Sequence, residues 1–145
     1  MDDIIDLDTL PANLRHLATN VQIVDLGPER FGHYDHEEDT LQVSKLGIEK
    51  KGFLTVLSHE LAHKFCNVQS EARSNRFMRE YAIMFIPYTY YMLKRRYSKG
   101  WHQRRILLEM FAHSLSSYVM DRASMSKGSL DYFSKWFPLS DNHRR

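Results

Sequence analysis

Residues 59–63 read His-Glu-Leu-Ala-His, and this pattern constrains the chain more than any other feature of its sequence. In an α-helix, residues four apart lie on the same face, so His59 and His63 can direct ring nitrogens at one metal ion about 2.0–2.1 Å away. Glu60 follows the first histidine directly and would lie beside that ion, where a carboxylate can act as a general base. The pattern therefore predicts a helix that carries two metal ligands and one residue for proton transfer.

The apolar residues around this pattern support the interpretation. They recur at helical spacing and would bury one face of the helix while both histidines face a cleft: Phe53, Val56, Leu57, Leu61 and Phe65. The alternative is that the two histidines and the glutamate lie on an ordinary solvated helix face and match the pattern by chance. Such chance matches are expected in only about one in a hundred chains of this length. We favour the metal site, with Zn²⁺ as the predicted cofactor.

A catalytic zinc ion normally has three protein ligands and keeps its fourth position for water, so one more ligand is needed. The candidates are Glu71, Glu80 and Glu109. Glu71 lies only eight residues after His63, which makes it hard to fold back onto the ion. Glu80 is a better geometric rival, because it lies in mid-helix and could face the cleft, although a surface charge near Arg76 and Arg79 is the favoured interpretation. Glu109 is therefore favoured, and the other two stay open as alternatives.

Glu109 stands in the otherwise apolar helical segment 107–118. A carboxylate buried there without a partner would be costly, and the metal ion supplies that partner. His113 lies one turn later on the same face. It is a candidate catalytic residue, either as a hydrogen-bond donor to a ligand or as an oxyanion stabiliser, and the alternative is a buried histidine bonded to a backbone carbonyl.

The rest of the chain predicts an α+β fold with one domain over residues 1–145, in which a small N-terminal sheet or hairpin precedes a helical bundle. A short first helix follows Pro11, with an apolar stripe from Leu10 to Ala18. Alternating apolar residues predict a strand at 21–25 and a hairpin of strands at 31–34 and 40–43. The predicted later helices cover residues 48–66, 70–97 with a bend near Pro87, 101–122 and 129–137.

Composition narrows the classes of partner. The 20 basic and 18 acidic residues nearly balance, which gives no reason to expect nucleic acid. The basic cluster at 94–105 is interpreted as a solvated helix end.

The sequence also bears on where the protein is found. The apolar run at 81–93 is too short for a membrane helix. The acidic start does not indicate a secretory signal, and the single Cys66 cannot form an internal disulfide. We expect a protein that is cytoplasmic where it is made, with export as an effector without a cleaved signal left open.

The segment Glu109-Met110-Phe111-Ala112 with Tyr118, which follows the His-Glu-Leu-Ala-His pattern, resembles the catalytic domain of the anthrax lethal factor family. That family includes the clostridial Pro-Pro endopeptidases, and the resemblance covers roughly residues 53–137. It implies a zincin-like metallopeptidase of the gluzincin type with Glu109 as the third zinc ligand. The family tends to carry a tyrosine seven residues before that glutamate, as a donor to the developing oxyanion, and this chain departs from the pattern with His102 there. His102, as a candidate catalytic residue, or the nearby Tyr97 could substitute for the tyrosine, and a different arrangement for this step stays open.

A weaker resemblance is to the ImmA/IrrE-type peptidases, which cut phage-type repressors. It rests on a strand pair before the metal helix and on Glu71-Ala72 followed by Asn75-Arg76-Phe77. It implies Glu71 or Glu80 as the third ligand.

These observations predict a zinc-dependent endopeptidase that acts on a protein or peptide substrate, with Glu60 as general base and acid and the hairpin at 32–43 as a binding edge. The rival is a non-catalytic, zinc-stabilised helical protein that binds a partner through the aromatic residues at 81–91. Structural zinc sites usually have four protein ligands and favour cysteine. Because this chain has only one cysteine, a structural zinc site is the less favoured interpretation. The oligomeric state stays open.

Overall fold

The computed structural model describes residues 7–69, 76, 80 and 103–139. Over these residues the fold is α+β, which confirms the predicted class. Its elements are, in chain order, a 3₁₀ turn at Leu7–Thr9, α1 (Ala12–Arg15), β1 (Val21–Val24), β2 (Gly32–Asp35), β3 (Thr40–Ser44), α2 (Lys45–Lys51), α3 (Phe53–Val68), α4 (Gln103–Met120), a 3₁₀ turn at Arg122–Ser124 and α5 (Lys127–Trp136).

The three strands form one sheet in the order β1-β3-β2. β2 and β3 pair antiparallel as the predicted hairpin, with Gly32 opposite Val43. Asp35 stabilises the turn between them, because its carboxylate accepts hydrogen bonds from the backbone N–H groups of Glu37 and Glu38. β1 pairs parallel with β3. Among the described strands, β2 therefore lies at an edge.

The predicted single helix over 48–66 is wrong, because the chain forms two helices there. Gly52 adopts a φ of +94° and its N–H closes α2 on the carbonyls of Gly47 and Ile48. A positive φ is unfavourable for residues with a side chain, so the glycine ends one helix and the next starts after it. α2 also begins earlier than predicted, because the Ser44 hydroxyl caps it by accepting the Gly47 N–H at 2.8 Å.

The first helix is shorter than predicted. It comprises only Ala12–Arg15, and the chain continues through tighter turns in which the Leu17 and Ala18 N–H groups bond to carbonyls three residues back. α4 and α5 agree with the predicted helices to within two residues where they are described. The predicted helix at 70–97 lies outside the described residues except for positions 76 and 80.

Helix α3 is shared by two apolar cores. On one side Leu57 and Leu61 pack with Leu41 and Val43 of the sheet. On the other side Ala62 and Phe65 pack with α4 and α5, in a core whose fully buried aromatic residues are Phe111, Tyr118, Phe133 and Phe137. Packing on two sides leaves a third face of α3 for the histidines. No helix in the described part of the chain is long and apolar enough to cross a membrane.

Candidate metal centre

Three predicted ligands come together between α3 and α4. The Nε2 atom of His59 lies 3.1 Å from one carboxylate oxygen of Glu109, and that of His63 lies 3.0 Å from the other. One ligand atom from each residue lies within 4.8 Å of the other two. Zinc bonds of about 2.0–2.1 Å in tetrahedral geometry separate two ligand atoms by about 3.3 Å. The spacing and the donor types therefore fit a metal ion bound by two imidazoles and a carboxylate.

Small side chains where α3 meets α4 explain how Glu109 reaches the histidines. The Ser116 hydroxyl donates to the backbone carbonyl of Thr55 at 2.8 Å, and the Ser58 hydroxyl lies 3.3 Å from that of Ser116. Ser58 precedes His59 by one residue, whereas Ser116 follows Glu109 by two turns, so the helices run antiparallel. This crossing places Glu109 opposite the two histidines.

The ionisation of these groups follows from their mutual contacts. Burial raises the pKa of Glu109, but the hydrogen bonds to His59 and His63 outweigh it and hold that pKa well below its ordinary range. Burial lowers the pKa of His63, whereas its hydrogen bond with Glu109 raises it, and the net shift is upward. Glu109 is therefore ionised at neutral pH, as a metal ligand must be, and protons compete with a metal for the histidine.

Glu60 lies beside this cluster, on the side that faces β2. Its side chain is buried, and burial raises the pKa of its carboxyl group. A Cβ atom at Gly32 would lie 2.6 Å from Val56 Cγ1 and 3.0 Å from a carboxylate oxygen of Glu60. Only glycine allows β2 to approach α3 this closely. Sequence reasoning placed Gly32 in a strand without assigning it this role, although a glycine inside a strand often marks a close backbone approach.

His113 lines the same cleft from α4 and its side chain is exposed. The alternative that it is a buried histidine is therefore wrong, since α4 turns this position away from the aromatic core. Partial desolvation lowers the pKa of His113, and the neighbouring His59 and Lys51 lower it further. The ring is thus neutral at physiological pH, with one N–H available for donation.

The other predicted site residues do not join the cluster within the described part of the chain. Glu80 makes an exposed ion pair with Arg76 at 3.0 Å, which agrees with the surface-charge alternative. Glu71, Tyr97 and the predicted catalytic residue His102 lie outside the described residues. The structure therefore brings together four of the predicted residues, which are His59, Glu60, His63 and Glu109, with His113 in the same cleft.

The cleft is open and has a volume of about 1170 Å³. It runs between β2, α3 and α4, and its lining includes Arg30, Gly32, His59, Glu109 and Ser117. Typical small-molecule pockets have volumes of about 300–1,000 Å³, so this cleft has room for an extended chain.

Comparison of the chain with protein-family models, with curated proteins and with solved structures finds no match. The two family resemblances therefore stay predictions from the motifs alone.

Proposed function

We propose that this protein is a zincin-like, zinc-dependent endopeptidase. The observation that carries the proposal is the cluster of His59, His63 and Glu109 in an open cleft, with the raised-pKa carboxyl group of Glu60 beside it. Three ligands of this kind are the donor set of catalytic zinc sites, which keep one position for solvent. When bound, the zinc ion would lower the pKa of a water molecule and polarise the scissile carbonyl.

Glu60 supplies the proton transfer. Its carboxylate takes a proton from the attacking water as the new C–O bond forms, and passes it to the amine nitrogen as the C–N bond breaks. Burial raises its pKa towards the range where a group can both accept and return a proton near neutral pH. His113, neutral and facing the cleft, is suited to donate its N–H to the developing oxyanion. His102 keeps the same predicted role from the family resemblance alone.

The edge of β2 is suited to bind the substrate. The Phe31 carbonyl accepts the Ser44 N–H at 2.9 Å, so the backbone groups of Phe31 point towards β3. These directions alternate along an antiparallel strand, so the N–H and C=O groups of Gly32 and Tyr34 point away from β3, to the edge that no other described strand pairs with. An extended peptide can add there as a further strand, beside Glu60 and the metal ligands.

The rival functions account for less of this arrangement. A structural zinc site would be closed by a fourth ligand, commonly cysteine, but Cys66 is buried and is not part of the cluster. The ImmA/IrrE-type alternative needs Glu71 or Glu80 as a ligand, and Glu80 is paired with Arg76. A structural zinc site also gives no reason for Glu60 to be buried against β2 beside the ligands.

The proposal is tested by zinc analysis together with a peptide-library digestion, with and without a chelator. We expect one zinc ion per chain and cleavage that the chelator abolishes. Glu60→Gln should keep the zinc and lose cleavage by at least about a hundredfold, the lower range for general acid–base catalysis. Glu109→Gln should weaken zinc binding.

The matched control is Glu49→Gln, which changes an exposed glutamate on α2 and should alter neither the zinc content nor the rate of cleavage. Cleavage at the wild-type rate by the Glu60→Gln variant would overturn the mechanism. A zinc-free wild-type protein would overturn the proposal as a whole.

A further inference from the structure

A polar network joins the hairpin to helix α3 next to the metal ligands. Lys64 follows His63 and is 3% exposed. Its ammonium group lies 3.2 Å from the carboxylate of Asp39, in the turn between β2 and β3, and donates to the Thr19 hydroxyl at 3.2 Å. The Tyr34 hydroxyl donates to Asp39 at 2.9 Å. We call this set, completed by Asn67, the hairpin anchor.

Asn67, one turn further along α3, completes the anchor by donating its amide to the Tyr34 hydroxyl at 3.3 Å. The two α3 side chains, Lys64 and Asn67, thus hold the end of β2 and the turn that follows it. The start of β2 is held differently, by the contact of Gly32 with Val56 and Glu60. The strand is therefore fixed against α3 at Gly32 and at Tyr34, the two residues whose backbone groups point away from β3.

Burying an ammonium ion is an inefficient way to stabilise a fold. The desolvation cost of a buried ion pair often exceeds its Coulombic gain, and apolar replacements are often neutral or stabilising. Asp39 itself remains half exposed, so it would stay solvated without Lys64. What the ammonium group provides, and a methyl group cannot, is directed bonds to two separate segments at once. The anchor thus specifies where β2 lies along α3.

We propose that Lys64 and Asp39, with Tyr34, are positioning residues that hold the substrate-binding edge of β2 in place relative to the metal ligands. This inference rests on the proposed function, because it assigns the edge to the substrate. The hydrogen bonds and the ion pair described for the anchor residues involve neither the ligand atoms nor Glu60. Loss of the anchor should therefore weaken substrate binding and leave the metal centre intact.

The experiment compares Lys64→Met, which removes the charge at similar length, with Tyr34→Phe, which removes only the hydroxyl. The matched control is Lys127→Met, which breaks an exposed ion pair with Asp131 on α5. Each variant is measured for Zn²⁺ affinity by chelator competition and for hydrogen–deuterium exchange of residues 32–35. Steady-state kinetics use the best-cleaved peptide from the library digestion.

We expect faster exchange at residues 32–35 in both anchor variants, with unchanged Zn²⁺ affinity and unchanged protection of α3 and α4. We expect KM to rise about tenfold in Lys64→Met, equivalent to about 1.4 kcal/mol of lost binding, with kcat within about twofold of the wild type. Lys127→Met should match the wild type throughout. A rise in KM at constant kcat is the sign of lost binding without lost chemistry.

Two results would overturn the inference. One is unchanged exchange and unchanged KM in a folded Lys64→Met protein. The other is a parallel loss of Zn²⁺ affinity and of protection throughout α3 and α4, which would make the anchor a general stabiliser. If the wild type cleaves nothing, the proposed function fails, and with it the assignment of the edge to the substrate. The exchange and zinc measurements would still show whether the anchor holds β2 independently of the ligands.

Discussion

Both sides of helix α3 pack on an apolar core, but the contacts that most distinguish the two sides differ in chemistry. Towards α4 and α5 the contacts are aromatic rings, such as Phe65 against Phe137 with ring centres 4.9 Å apart. Towards the end of the hairpin they are directed hydrogen bonds from Lys64 and Asn67. Dense apolar packing resists small displacements, whereas single polar contacts can be lost one at a time. We infer that the apolar side maintains the ligand geometry and the polar side the position of β2.

The largest effect should come from the apolar side. Phe111 is fully buried, and Phe111→Ala should destabilise the protein by about 3–5 kcal/mol, the usual cost of removing a buried aromatic ring. Because Glu109 is two residues away on the same helix, zinc affinity should fall as well. Urea unfolding and chelator competition measure the two effects. The control Val68→Ala, at a residue 52% exposed on α3, should change neither.

Intermediate effects should come from the close approach of β2 to α3. Gly32→Ala places a methyl group 2.6 Å from Val56 Cγ1, so β2 or Val56 must move. Overpacking of this kind costs about 1–3 kcal/mol. We expect zinc binding to persist and cleavage to fall, which zinc analysis and a peptide assay measure.

The double variant Gly32→Ala/Val56→Ala sharpens this test, because it removes the clashing Cγ1 atom. It should be more stable than the sum of the single effects predicts. Strict additivity in urea unfolding would show that the contact between β2 and α3 does not carry the effect.

The smallest effect should be the acid dependence of the hairpin anchor. Hydrogen bonds from Tyr34 and Lys64 lower the pKa of Asp39 below its ordinary value of 3.8. The ionised Asp39 therefore contributes its full stabilisation above pH 3.8, and this contribution is lost as the pH falls through the lower, folded-state pKa of Asp39. The difference in unfolding free energy between wild type and Asp39→Asn should narrow over that range. A difference that is the same at pH 6 and at pH 3 would contradict this role of Asp39.

The site was more predictable than the elements around it. The helical repeat makes His59 and His63 neighbours wherever that helix lies, and Glu109 stood out as a charge in an apolar segment. Both signals are local. Lys64 carried no such signal, since a lysine in a helix usually indicates a solvated face, and its partners Thr19 and Asp39 are distant in sequence.

The end of α2 at Gly52 could also have been predicted from the sequence. Glycine after a helix that ends in lysines is a common stop signal, but the apolar spacing on both sides of it suggested one continuous helix. The parallel pairing of β1 with β3 depends on packing over many residues, which local patterns do not contain. The prediction of a peptidase rests on the site and not on the fold.

The central claim is that His59, His63 and Glu109 hold one zinc ion. A crystal structure of the zinc-loaded protein, with anomalous data measured on both sides of the zinc absorption edge, tests it most directly. We predict one anomalous peak about 2.0–2.1 Å from Nε2 of both histidines and about 2.0–2.2 Å from a Glu109 oxygen, with a further position open to the cleft. Zinc bound at other residues, or a cluster that stays metal-free in excess zinc at neutral pH, would contradict the account.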